Sequence, residues 1–226
     1  MKLNIKYLDN IIEISNNTIE SIEIENKQYF YRLVNDLNSI SNGEIVADIS
    51  LLNNDNKEIN VANKIKIFID FFNINLNSKK NINDISNYII NNFTDVDKEK
   101  LKIQYHKTLK EYKKILNSID LPLSIDFEES IENIIKSIKI KIENKNNLLD
   151  NLLTLIDLES ILQTNNLLVF INLKQYLTKE ELKELCKYSI YNGINIIFID
   201  SKIYDILIKN EKKIIIDENL DEFMLQ

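Results

Sequence analysis

The sequence predicts an α/β head assembled from both ends of the chain, with a helical insertion between them. Three observations carry that prediction. In the last third, LLVFI and NIIFI are continuous apolar runs separated by a segment of helical character. Such a strand, helix, strand series argues for a parallel βαβ unit whose strands are covered on both faces. In the first third, short isoleucine-rich runs of strand character are broken by asparagine pairs. In the middle third the apolar spacing changes to that of helices.

Taken in order, LNIKYL, IIEI and TIESIEIE read as strands. KQYFYRLVNDLNSI, residues 27–40, reads as a helix because Phe30, Leu33, Val34 and Leu37 fall at helical spacing. EIVADISLL and NKIKIFIDFF return to strand character, and Asp70 stands where the second runs out. Ile85, Tyr88 and Ile89 predict a short helix from Asn83 to Asn92. A long helix follows with Thr94 or Asp95 as its cap, and Leu101, Tyr105, Leu109, Tyr112 and Leu116 share its apolar face. Pro122, the only proline, ends that helical region. Further helices are expected from about Glu128 to Lys145 and from about Asn147 through NNLLDNLLTLIDLESIL. Thr178 with Glu181 three residues later fits a capping box, so the next helix begins at Lys179, and Gly193 suits its stop. KKIII makes a final short strand. The division is head over 1–78 and 155–226, helical stalk over 79–154.

Composition narrows the function classes. A chain of 226 residues, 44% of them hydrophobic, buries a sizeable core. No apolar run reaches the roughly 18 residues of a membrane span. Asp9, Asn10 and Glu13 interrupt the start where a signal peptide needs an apolar core, so a cytoplasmic protein is expected. Cys186, the only cysteine, allows no internal disulfide and reads as a buried helical position, with no histidine nearby to activate it. His106, also alone, reads as a solvated residue on a charged helix, which leaves triad or Cys-His catalysis little to stand on. The only glycines, Gly43 and Gly193, supply neither G-x-x-x-x-G-K nor G-x-G-x-x-G, so glycine-rich phosphate loops are excluded. LLVFINLKQYLTKEEL, residues 167–182, has the strand-loop-helix form of a ligand site in α/β sheets. It holds no glycine, histidine or cysteine, and reads as scaffold.

Charge is unevenly spread. Residues 98–114 hold seven lysines against Glu99 and Glu111, a net +5 on a chain of net −7, which leaves −12 on the remainder. Lys100, Lys107, Lys110 and Lys114 lie opposite the Leu/Tyr face and form a stripe able to meet phosphates. A plainly solvated face is the alternative. Lys136, Lys139 and Lys141 make a second, weaker cluster. The opposite charge collects in DLPLSIDFEESIE at Asp120, Asp126, Glu128, Glu129 and Glu132. Carboxylates there serve a helix N-terminus without any ligand, or form a hard-oxygen site for Ca²⁺ or Mg²⁺.

The order of these segments resembles a known family: the ring-forming, DNA-end-binding adaptation proteins of type II-A CRISPR systems, in their short form. The motifs that carry the likeness are LLVFINLKQYLTKEEL with Asn172 after the strand, then NIIFIDSKIYD, MKLNIKYLD, FIDFFNINLNS, and SIDFEES before IIKSIKIKIE. The resemblance implies a head resembling a P-loop kinase-like fold without the phosphate loop, an inserted α-helical stalk, and no catalytic step. It implies a homotetrameric ring that binds Ca²⁺, takes the ends of linear double-stranded DNA through a basic channel, and works in spacer acquisition with the adaptation integrase and the effector nuclease. The family's acidic-aromatic-acidic-acidic stretch falls on Asp126, Phe127, Glu128 and Glu129, which makes Asp126, Glu128 and Glu129 the implied calcium ligands. Glu132 is added on helical spacing, and Asn133 stands where the family carries a further carboxylate. For DNA, charge and geometry select Lys100, Lys107, Lys110, Lys114, Lys136 and Lys139. The rival readings are a metal-dependent nuclease using Asp126, Glu128 and Glu129, a nucleotide-binding kinase relative, and a structural helical partner without DNA affinity.

Overall fold

The computed structural model describes residues 1–124, 130–164, 166–206 and 208–225, and only the backbone at Lys136. The chain divides into two compact units, Met1–Ile74 with Asn144–Gln226, and Asn75–Glu143. In the first unit, β1 (Lys2–Ile5), β2 (Ile12–Glu13) and β3 (Ile19–Ile24) precede α1 (Lys27–Ser41). β4 (Ile49–Leu52), β5 (Glu58–Ile59) and β6 (Ile65–Phe68) follow. The second unit contains α2 (Lys79–Asn92), α3 (Asp95–Leu116) and α4 (Ile131–Ser137). The chain then returns to the first unit with α5 (Leu148–Ile161), β7 (Leu167–Ile171), α6 (Lys179–Tyr191), β8 (Asn195–Asp200), β9 (Glu211–Ile216) and β10 (Glu222–Leu225).

The main sheet has the strand order β10-β9-β3-β8-β7-β6, so strands from both ends of the chain interleave. All its pairings are parallel except β10 on β9. The expected βαβ unit is β7, α6, β8, in register Val169 with Ile197. Thr178 and Glu181 form the capping box at the start of α6, and Gly193 follows its end at φ 67°, where a side chain would be strained. The principal core joins one face of this sheet (Ile22, Ile24, Val169, Ile171, Ile197, Ile199) to Leu33 and Leu37 of α1 and to Leu3, Ile5 and Leu51. The last three belong to a second, antiparallel sheet of order β2-β1-β4-β5, whose separation from the main sheet the sequence did not reveal.

Four expectations require correction. Only Ile49–Leu52 of EIVADISLL is strand, because Val46 and Ala47 lie in the turn that leads into it. The long helix stops at Leu116, well before Pro122, with Asn117 as its C-cap. The helix expected from Glu128 to Lys145 is helical in its described part only over Ile131–Ser137. Ile138, Ile140 and Ile142 alternate with lysines, a strand-like pattern, and Asn77 clamps the backbone of Ile142 through both its amide atoms, at 2.9 and 2.7 Å. Finally, β9 is not the last strand: the chain turns at Asp217–Asp221 and β10 pairs back along it. The helix that the expected stalk boundary at residue 154 divided, α5, lies whole in the first unit.

Candidate functional site

The helical unit carries the basic stripe. Thr94 and Asp97 make a capping box at the start of α3, and Asp95 and Asp97 occupy its first turn while Lys113 and Lys114 occupy its last, each sign suited to its end of the helix dipole. Leu101, Tyr105, Leu109 and Leu116 are half-buried, whereas Lys100, Lys107, Lys110 and Lys114 are exposed on the opposite side. Tyr112 departs from its face and is 62% exposed. No described residue of α3 is fully buried. One of the four stripe lysines is matched locally: Lys114 pairs with Glu111 at 2.7 Å, an exposed contact of small net energy. His106 is exposed, as expected of a solvated residue.

Of the carboxylates, Asp126, Glu128 and Glu129 lie outside the described residues. Glu132 is exposed in the first turn of α4 and accepts from the Ser130 hydroxyl at 3.2 Å, while Ser130 also caps Asn133. Lys139 is exposed just past α4, and the side chain of Lys136 lies outside the described residues. Among the described residues no group of three acidic, histidine or cysteine side chains is placed to hold a metal.

A second constellation, which sequence reading missed, sits in the head at the end of LLVFI. Asn172 takes the left-handed conformation (φ 58°), tolerated by asparagine, and donates its N–H to the Ile199 carbonyl. Its side-chain oxygen accepts from the Ser201 N–H at 2.8 Å, which ties the end of β7 to that of β8. A single 3-10 turn, Leu173–Gln175, then carries Lys174 into the protein, where it is 3% exposed. Its ammonium donates to Glu23 Oε1 at 2.7 Å and Glu211 Oε1 at 2.9 Å, and lies 3.9 Å from Asp200 Oδ2. Lys213 reaches the same Glu23 oxygen at 3.0 Å and donates to the carbonyls of Tyr204 and Ile206. Ser21 donates to Glu211, whose other oxygen accepts the Ile208 N–H, and Glu23 accepts the Tyr204 N–H. Glu23 and Asp200 are in register on β3 and β8, which is why one cluster collects both.

Burial alone would lower the Lys174 pKa, but the carboxylates of Glu211, Glu23 and Asp200 outweigh it and hold the ammonium above its ordinary value. Burial pushes the Asp200 carboxyl up to about 7, with Lys174 pulling against it and Glu23 adding to it. The Cys186 thiol is pushed up to about 12 by burial, so it is a core group and no nucleophile at neutral pH. The cluster is internally satisfied at Glu23, Glu211, Lys174 and Lys213, and its chemistry is to pin the strand ends and the segment after β8. The sequence signal for it was weak: glutamates inside the apolar run TIESIEIE and a lysine inside KKIII, charges of opposite sign at strand positions.

Comparison with known proteins follows the same outline. The family model described as CRISPR-associated protein (Cas_Csn2) matches residues 43–220. The CRISPR-associated protein Csn2 of Streptococcus agalactiae is 24% identical over 211 residues, 91% of this chain and 92% of that protein. The CRISPR-associated protein Csn2 of Enterococcus faecalis is 24% identical over 127 residues, 54% of this chain, and the match spans little more than half, 56%, of that relative's length. Among solved structures, Stu0660 of Streptococcus thermophilus superposes with a TM-score of 0.56 at 14% identity, covering 100% of this chain and 76% of that one, a likeness of fold.

Proposed function

This chain belongs to the CRISPR-associated Csn2 family, and on that premise we propose that it is a non-catalytic protein of type II-A spacer acquisition that binds the ends of linear double-stranded DNA. It does so as a homotetrameric ring, without regard to sequence and with the help of Ca²⁺. Asp126, Glu128, Glu129 and Glu132 hold the calcium. Lys100, Lys107, Lys110, Lys114, Lys136 and Lys139 face the phosphates. Its partners are DNA, three further copies of itself, the adaptation integrase proteins and the effector nuclease.

The observation that carries this reading is α3: 22 residues long, without a buried side chain among those described, and with Lys100, Lys107, Lys110 and Lys114 exposed along one side. Duplex DNA presents about one negative charge per 1.7 Å of axis, so a stripe of lysines needs no base contacts to bind it. A net +5 over residues 98–114 against −12 elsewhere favours phosphate contact at this stripe over the rest of the surface. Closed symmetry repeats the stripe around one axis. Calcium neutralises carboxylates that would otherwise repel one another and the DNA.

The head is read as a P-loop kinase-like fold that lacks its phosphate loop. In support, β3 passes into α1 through Glu25 and Asn26 alone, with no glycine, and the Asn26 side chain caps the helix by accepting the Tyr29 N–H. That first turn is served by the protein itself.

The test measures solution mass and DNA binding, each with calcium and with a chelator, using linear and closed-circular duplexes of the same sequence. A tetramer that retains linear DNA, releases it on chelation and binds circles poorly is expected. Equal retention of circles, or carboxylate-dependent cleavage of the DNA with Mg²⁺ or Mn²⁺, would overturn the reading.

A further inference from the structure

The buried cluster of the head holds two ammonium groups, Lys174 and Lys213, and three carboxyl groups, Glu23, Glu211 and Asp200, all almost without exposure. Four of these are joined by ion pairs of 2.7 to 3.0 Å. Asp200 is left over. It is fully buried at the end of β8, and neither of its oxygens has a hydrogen-bond partner by distance and angle among the described residues. Its nearest cation is Lys174 at 3.9 Å, already engaged by Glu23 and Glu211, and the Lys174 backbone N–H approaches without a well-formed bond. A buried carboxylate in that position lacks the compensation that an ionised group requires.

We propose that Asp200 is a proton-binding site: its carboxyl takes one proton from solvent, balancing the two lysines against Glu23 and Glu211, and releases it as pH rises. The groups that face it are Lys174 of the turn after β7, Glu23 of β3, Glu211 of β9 and the Tyr204 hydroxyl of the segment after β8. Behind these, Lys213 of β9 pairs with Glu23, and the buried Cys186 thiol of α6 interacts with Lys174 and Glu211. The upward push on the Asp200 carboxyl, to about 7, agrees in direction with the geometry. Release of the proton places a third negative charge beside Lys174 and competes for the ammonium that Glu23 and Glu211 share. Those two carboxylates, with Lys213, are what hold the backbone of Tyr204, Ile206 and Ile208. The proton therefore governs how firmly the segment after β8 is held to the strand ends.

The sign of the effect follows from linkage. In the fold the carboxyl titrates above its ordinary value of 3.8, so the folded chain binds the proton more tightly than the unfolded one. Stability from this group is full below the ordinary carboxylate range, falls as pH rises to about 7, and is level above it.

The proposal does not depend on DNA binding, and its test uses the full native chain. Aspartate carboxyl carbons are labelled with ¹³C and followed by NMR from about pH 5 to about pH 9. One resonance is expected to titrate near neutrality, and its absence from the Asp200→Asn spectrum identifies it. The melting temperature of the variant, measured against that of the native protein, should gain about 5 °C or more between about pH 5 and about pH 7, and the difference should be level beyond that. Should the variant not fold, the native titration still decides. Aspartate carbons that all titrate in the ordinary range would overturn the proposal. So would a native melting temperature at about pH 8 that KCl or MgCl₂ raises while leaving Asp200→Asn unchanged, since a bound cation would then replace the proton.

Discussion

At the scale of the residue, Lys174 shows how much one side chain can hold. Its ammonium bridges Glu23 and Glu211, which are 151 and 37 positions away along the chain. Replacing it by methionine keeps the length of the side chain and leaves three buried carboxyl groups without their shared cation. Lys174→Met is expected to lose about 3–5 kcal/mol of stability, read by urea denaturation, because a broken buried pair strands its partners. A loss within the error of the measurement would show that the cluster is dispensable. Cys186 gives a second expectation. With its thiol buried and pushed up to about 12, it should react with an aromatic disulfide reagent only as fast as the protein opens, and at full speed in denaturant. The burial of Cys186 and the exposure of His106 were legible from their neighbours in sequence, since each sits on a helix whose faces are set by spacing. Lys174 was not. Its surroundings come from β3, β8 and β9, and no local pattern around NLKQ contains them.

At the scale of the element, local chemistry proved a good guide wherever a helix start or a strand pair is decided within a few residues. Thr178 with Glu181 and Thr94 with Asp97 cap α6 and α3 through side chains three positions apart. Thr178→Ala is expected to cost about 1 kcal/mol, measured by thermal or urea denaturation, through the loss of that cap. The same guide failed between Ile138 and Glu143, where helical periodicity and strand alternation coincide in IKSIKIKIE. The choice there is made by Asn77, 65 positions earlier, whose amide both accepts from and donates to the backbone of Ile142. Asn77→Ala should remove both bonds and destabilise the helical unit by about 1–3 kcal/mol, with faster amide exchange at Ile142 as the local readout. β10 escaped notice for a similar reason: EFML is too short to show a period, and it is a strand because β9 lies beside it.

At the scale of the whole molecule, charge is segregated between a basic helix and an acidic remainder. Binding that rests on phosphates must then weaken with salt in proportion to the number of phosphates neutralised. Replacing Lys107 and Lys110 together by glutamine, on the exposed side of α3, should leave the fold intact. It should flatten the logarithmic salt dependence of linear-DNA binding by about one unit of slope for each phosphate that no longer meets a lysine. An unchanged slope with unchanged affinity would move the DNA surface elsewhere. The acidic run at Asp126, Glu128 and Glu129 predicts a distinct response: substitution by the matching amides should abolish the difference between calcium and chelator in the same assay.

By itself the sequence determined the α/β class, the helices α1, α2, α3, α5 and α6 and the strands β7 and β8 in their order, the assembly of the head from both chain ends, the basic side of α3 and the family likeness. These rest on interactions between residues a few positions apart, or on composition, and both are written in the linear chain. Tertiary structure alone decided that two sheets form, that α5 belongs with the head, and that the junction after β7 delivers a lysine into a buried cluster. The physical reason is that burial and charge balance are properties of three-dimensional neighbourhoods. Glu23, Lys174, Asp200 and Glu211 each look like surface residues in sequence. The register of β3 with β8 sets Glu23 beside Asp200, and the turn after β7 brings Lys174 to Glu23 and to Glu211 of β9.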